Sequence, residues 1–233
     1  PGSSYHSLES VSCVSSSDCT AVGYYESGGA NLTLVLHWNG SSWTTVASPN
    51  PSSSVNDLFS VSCVSSTDCT AVGVFHDGTR NATLIQHWNG AGWTTVPSPN
   101  PGSSYNFLNS VTCVTSSDCT AVGGYYDGVR EPTLIVHWNG SAWSTVSSPS
   151  AGSSNNRLQS ISCVSSSDCT SVGWYNDGTR YATLILRWNG SAWAVVASPN
   201  PGASDNDLYS VTCAAANDCT AVGVYPNGTR DAT

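Results

Sequence analysis

The sequence contains no Lys and no Met, and all six of its cationic side chains apart from His are Arg. Charged residues make up 9% of the chain and the net charge is -9. This balance argues against a nucleic-acid partner, because neutralising phosphates requires clustered Lys and Arg. An anionic membrane surface is disfavoured on the same ground. No apolar run approaches the roughly 20 residues of a spanning helix, so no membrane insertion is expected. Helical periodicity is missing throughout. There is no G-x-S-x-G, no P-loop and no dinucleotide fingerprint, and no cofactor is expected. With Met absent, the expectation is a processed mature chain or a segment of a longer one.

What is abundant is repetition. Cys13, Cys63, Cys113, Cys163 and Cys213 recur at a spacing of 50 residues, as do Cys19, Cys69, Cys119, Cys169 and Cys219, with Trp38, Trp88, Trp138 and Trp188 behind them. A fixed period of this length is the mark of a repeat architecture. The units run 1–50, 51–100, 101–150, 151–200 and a partial 201–233, within one domain. A chain of this size can bury about 70–75% of the surface it exposes when unfolded. Each unit holds one C-x5-C pair, which reads as a disulfide formed in an oxidising compartment, contributing about 2 kcal/mol on the loop-entropy model. Zinc binding is the competing reading. The spacing is wider than that of usual zinc pairs, and no metal site is expected.

In the first unit, Glu9–Val14 alternates and places Val11 and Cys13 on one face, with small Ser10 and Ser12 on the other where space is tight. Cys19–Tyr25 follows as a second strand, so a Cys13–Cys19 bridge would staple a hairpin. A Ser27-Gly28 turn, Asp-Gly in the next three copies, leads to a third strand at Leu32–Trp38. Asn39-Gly40 is a strong short-range hairpin signal and leads to a fourth strand at Trp43–Val46, which Pro49 and Pro51 end. Four antiparallel strands followed by a long connector predict an all-β fold, a β-propeller of four-stranded blades. The count is 18 strands, four complete blades and half a fifth. The strand at Cys219 to Tyr225 then has an open edge, to be covered by continuation of the chain or by self-association.

The motif L-x-x-V-x-C-x5-C-x-A-V-G, then T-L, then W-N-G-x-x-W resembles the blades of BNR-type and photosystem II stability-factor-type propellers. In the second unit the matching residues are Leu58, Val61, Cys63, Ala71, Val72, Gly73, Leu84, Gly90 and Trp93. The sequence resembles still more closely the Cys-paired repeats of secreted actinobacterial and Chloroflexota-like proteins. The resemblance covers the full length and implies a propeller; such propellers include enzymes, assembly factors and binding modules.

Chemistry-bearing residues follow the repeat. His37, His87 and His137 share one unit position, taken by Arg187 in the fourth copy, and read as packing or surface groups rather than a metal set. Asp18 and its equivalents read as turn residues bonding local backbone, and Arg80, Arg130, Arg180 and Arg230 as braces of the Asp-Gly turns. Equivalence in every unit singles out no carboxylate pair, so no catalytic residue and no enzymatic activity are expected. The connectors vary while the frame repeats, which makes Tyr5, His6, Asn56, Tyr105, Asn106, Asn156 and Arg157 candidate ligand contacts. Trp38, Trp88, Trp138 and Trp188 could stack on sugar rings or pack within a blade. Asn31, Asn39, Asn81, Asn139, Asn189 and Asn227 lie in N-x-S/T sequons and are candidate glycosylation sites. The expected role is a structural or adhesive module of the cell surface or an extracellular assembly. The alternative is a lectin-like propeller with repeated weak glycan sites.

Overall fold

A computed structural model describes residues 5–226 and 231–232. It is all-β among these residues, with one four-stranded antiparallel sheet per complete unit and each sheet in simple sequential order. The first unit comprises β1 (His6–Ser15), β2 (Asp18–Ser27), β3 (Ala30–Trp38) and β4 (Trp43–Val46). The second comprises β5 (Asn56–Ser65), β6 (Asp68–His76), β7 (Asn81–Trp88) and β8 (Trp93–Thr95). The third comprises β9 (Asn106–Thr115), β10 (Asp118–Tyr125), β11 (Thr133–Trp138) and β12 (Trp143–Thr145). The fourth comprises β13 (Asn156–Ser165), β14 (Asp168–Asn176), β15 (Tyr181–Trp188) and β16 (Trp193–Val196).

The fifth sheet corrects the strand count. Beyond β17 (Asp207–Ala215) and β18 (Asp218–Pro226), a short β19 at Asp231–Ala232 pairs with Tyr225 and Pro226, so among the described residues this sheet has three strands and the total is 19. The third strand therefore starts before Thr233, as it does in the first unit, where β3 begins at Ala30. The stretch from Asp218 to Val224 has no partner on that side among the described residues.

All five C-x5-C pairs are disulfides joining directly opposed residues of the first hairpin, with Cα atoms 4.0 Å apart. Residue 9 of each unit is skipped in the ladder: Leu8 pairs with Gly23 and Ser10 with Val22, leaving Glu9 as a bulge, and Phe59, Asn109, Gln159 and Tyr209 are bulged alike. The bulge explains the Gly of A-V-G. A Cβ on Gly73 would lie 1.9 Å from the Asp57 carbonyl oxygen, and one on Gly123 2.1 Å from that of Phe107. No side chain fits there.

The first strands of successive sheets lie against one another, an edge called here the hub, and the fourth strands form the opposite edge of each sheet, called the rim. Small hydroxyls tie the hub together. Ser10 and Ser12 accept hydrogen bonds from the Val61 and Cys63 amides at 3.3 and 3.0 Å, and Ser60 and Ser62 accept from Val111 and Cys113 at 3.2 and 3.0 Å. The expected need for small residues on this face is met by strand-to-strand contact.

The core lies between sheets. Val22 and Val35 of the first unit pack on Leu58, Val61, Ala71, Leu84 and Trp93 of the second. Val72 and Ile85 pack likewise on Leu108, Val111, Ala121, Leu134 and Trp143, and Val122 and Ile135 on Leu158, Ile161, Leu184 and Trp193. Burying large aliphatic side chains fully is worth about 1.5–3 kcal/mol each, so every unit depends on its neighbour.

The Asn-Gly hairpin joins the third and fourth strands where expected, between Trp38 and Trp43. Asn39 to Ser42 form a four-residue connection in which Gly40 alone has positive φ, at 92°. The Asn39 Oδ1 accepts the amides of Ser41 and Ser42, both at 3.0 Å.

Candidate functional site

Two regions bring polar and aromatic side chains together. The first is at the rim. β2 begins with Asp18, and β3 carries His37 opposite Thr20, which sets the two side chains within bonding reach. His37 Nε2 and Asp18 Oδ1 are 3.0 Å apart; the equivalents His87–Asp68 and His137–Asp118 are at 3.1 and 2.9 Å. These carboxylates thus bond a cross-strand imidazole rather than the local backbone. The second carboxylate oxygen and the imidazole Nδ1 have no protein partner among the described residues. In the fourth unit Arg187 pairs with Asp168 at 3.1 Å and also donates to the Ala216 carbonyl of the fifth unit.

Each His–Asp pair faces the two Trp of the next unit. Trp88 and Trp93 are cross-strand partners with ring centroids 6.0 Å apart, and the Trp88 indole N–H is held by the Ser66 carbonyl at 3.1 Å. For Trp88 this leaves the ring face for a ligand. A cavity of about 240 Å³ lies among Asp18, Thr20, His37, Trp88 and Trp93, and one of about 300 Å³ among Asp118, Thr120, His137, Trp188 and Trp193. The equivalent space beside His87, Trp138 and Trp143 is narrower, about 60 Å³. Trp88, Trp138 and Trp188 therefore line pockets between units. Trp38 lines none of the three.

The second region is the connector end of the hub. Here the structure separates the connector residues. Asn56, Asn106 and Asn156 are 0% exposed, with carboxamides committed to backbone: Asn106 Oδ1 accepts the Gly102 amide at 2.6 Å and its Nδ2 donates to the Asn81 carbonyl at 3.2 Å. They brace connectors, and Asn106 also borders the cleft beside Tyr105 and Arg157. Tyr5 is exposed beside Tyr24, and His6 stacks on Tyr25.

Tyr105 and Arg157 do converge, on a residue that sequence reasoning missed. Glu131, with a side chain 5% exposed, receives the Tyr105 hydroxyl at 2.7 Å and Arg157 Nε at 2.7 Å. Arg157 lies over the Phe107 ring at 4.5 Å, and Trp174 is on its other flank at 5.6 Å. Burial, and then the bond to Glu131, pushes the Tyr105 phenol up to about 12. The available signal was variation at fixed unit positions: Asn31, Asn81, Glu131, Tyr181 at one, and Tyr24, Val74, Gly124, Trp174 at another.

The remaining Arg side chains are braces, as expected, and more. Arg80, Arg130 and Arg180 sit 3.5, 3.5 and 3.6 Å from Asp77, Asp127 and Asp177, and each also donates to a carbonyl of the next connector. Among the sequons, Asn31 donates to Asp57 at 3.0 Å, while Asn39, Asn139 and Asn189 are exposed and accept turn amides. Asn81 is half-buried at the start of β7. Asn227 and Arg230 lie outside the described residues. Among the described residues no group of three or more His, Cys, Asp or Glu comes together, and no helix is long and apolar enough to cross a membrane. The five disulfides fit an oxidising compartment.

No protein-family model matches the sequence, and no curated protein matches it. Solved structures do. One, described as "YCF48 bound to D1 peptide", aligns with 98% of this chain and 68% of its own at a TM-score of 0.57 and 12% identity. Another, a fucose lectin from Kordia zhangzhouensis in complex with methyl-fucoside, aligns with 60% of this chain and 99% of its own, at a TM-score of 0.40 and 15% identity. The full-length similarity to the first is one of fold.

Proposed function

We propose that the sheets are blades of a β-propeller and that the protein is a secreted, non-enzymatic binding module whose rim pockets hold glycans, several weak sites acting together. The observation that carries this is the recurrence of one pocket type. A His–Asp pair supplies hydrogen-bonding atoms beside the indole faces of the next unit in two pockets, and His87 borders a narrower third. Aromatic faces with a few fixed polar groups suit a sugar ring, which is apolar on its faces and hydroxylated at its edges. Sites of millimolar strength on one rigid frame gain avidity without new contacts. The absence of activity is part of this reading: the Asp of the rim recurs at one equivalent position in every complete unit, so none is singled out as one of a catalytic carboxylate pair.

Glycan-array screening of the chain, repeated with Trp88→Ala and Trp188→Ala, tests the proposal. Binding should weaken in each single variant and fall below detection in the double variant. Unchanged binding by the folded double variant would refute it.

A second role, as a unit of an extracellular assembly, is favoured by one face. Leu8, Val11 and Trp43 are 53%, 58% and 45% exposed, whereas Leu58, Val61 and Trp93 at the same unit positions are 0%, 5% and 7% exposed. The first unit thus presents the surface that elsewhere seats a neighbouring sheet. Sedimentation of the chain against a Val11→Asp variant tests it, with association lost in the variant as the expected result.

A further inference from the structure

The rim pockets repeat, but the connector end of the hub does not, and its departures from the repeat are matched to one another. Gly124 occurs where the other units have Tyr24, Val74, Trp174 and Val224. A Cβ there would lie 2.9 Å from Phe107 Cζ and 3.2 Å from Glu131 Oε1, so this Gly admits both the ring and the carboxylate. Phe107 carries the Arg157 guanidinium on its face, Glu131 holds one edge of it, and Tyr105 closes the other side of Glu131. Phe107, Gly124 and Glu131, each found in this unit alone at its position, together fix one guanidinium.

That guanidinium borders an open cleft of about 270 Å³ whose walls include Phe59, Val74, Tyr105, Phe107 and Asn109. Phe59 and Asn109 reach it because each is a bulged residue, turned out of its ladder, and bulges commonly re-aim side chains at sites of function. Of the five N–H donors of Arg157, Glu131 takes one, and the Tyr105 hydroxyl is the other polar neighbour drawn to it. The side chain is 33% exposed. The other Arg side chains described here end on turn carboxylates or neighbouring carbonyls.

We propose that this cleft is a single, non-repeated binding site for a carboxylate carried on an apolar or aromatic group. A guanidinium fixed in plane presents paired donors that match the two oxygens of a carboxylate. The net charge of -9 and the adjacent Glu131 favour a singly charged ligand over a phosphate dianion. Phe59, Val74 and Phe107 supply the apolar wall. Glu131 is a positioning residue, acting through Arg157. The free carboxylate of a peptide and that of a small aromatic acid share this chemistry.

The test is an NMR titration of the isotope-labelled chain with N-acetylphenylalanine, its neutral amide and glucuronate, read at the Arg157 Nε–H and the Gly124 amide. The acid should shift both signals, the amide neither, and glucuronate should bind more weakly because it lacks the apolar body. A peptide ending in Phe as the free acid, tighter than N-acetylphenylalanine, would assign a chain terminus; equal affinity would assign a small acid. Arg157→Lys, which keeps the charge and loses the fork, should weaken binding about tenfold. Glu131→Gln should weaken it less and move the Nε–H resonance of the free protein. Trp88→Ala and Trp188→Ala should leave this binding unchanged, which separates it from the rim pockets. Equal shifts by acid and amide, equal binding of glucuronate, or full affinity in folded Arg157→Lys would overturn the proposal. Should the variant misfold, the acid and amide comparison on the unaltered chain decides.

Discussion

Leu8 and Leu58 occupy the same unit position with the same flanking strand geometry, and differ in whether another sheet covers them. Leu58 is fully buried in a cluster with Val22 and Val35 of the preceding unit, while Leu8 is 53% exposed. Leu58→Ala removes transfer free energy and leaves a cavity between two sheets that cannot close on it, a combination that costs about 3–4 kcal/mol. Leu8→Ala removes a side chain already half in water and leaves no enclosed void, so roughly 1 kcal/mol is expected. Urea unfolding followed by Trp fluorescence measures both, with equal m-values checking that the variants unfold from comparable states. The reasoning assigns most of the stability to surfaces between units. Costs within about 0.5 kcal/mol of each other would refute that assignment and place the stability inside each sheet.

Two further predictions concern pH. The Tyr105 phenol, pushed from 10.0 up to about 12 by burial and by Glu131, is stabilised in its protonated form by folding. Its contribution is fully present below pH 10.0 and is lost as the pH rises towards about 12. The difference between alkaline absorbance titrations of the protein and its Tyr105→Phe variant should show this late step, and Glu131→Gln should bring it earlier. The Asp77 and Asp177 carboxyls are held below the ordinary range chiefly by the hydroxyls of Thr79 and Thr179, and Asp127 chiefly by the Arg130 amide, because Val129 has no hydroxyl to offer. Their stabilisation is present above the ordinary carboxylate range and is lost as pH falls through the lower folded values. Val129→Thr should move the carboxyl ¹³C titration of Asp127 downward; an unchanged midpoint would show that the hydroxyl is not the cause.

The frame was legible because it is periodic. Cys and Trp at one spacing established the unit, alternation located its strands, and short Cys spacing paired the disulfides. What was not legible depends on residues brought together by the third dimension. The bulge at Phe59 shows only as a residue missing from a ladder, and the Gly73 that it demands reads in sequence as one more small residue. Asn56 sits among varying neighbours, but Asn recurs at its position as Asn106, Asn156 and Asn206, and its carboxamide is spent on the Ser52 and Asn31 backbone. Asp18 looks like a turn residue until β3 places His37 across from it. Glu131 and Arg157 belong to different units, and only the packing of one sheet on the next makes them a pair.

The hydroxyl links along the hub carry a consequence for how such a chain can change. Each neighbouring pair is joined by atoms that recur in the complete units: Ser10 to Val61, Ser60 to Val111, Ser110 to Ile161, Ser160 to Val211. Duplication or loss of one whole unit in the gene would recreate the same joint, so these links do not restrict a change of array length by one repeat. The Glu131–Arg157 pair has no such protection, since it joins two particular units, and a single slipped copy inserted between them would erase it.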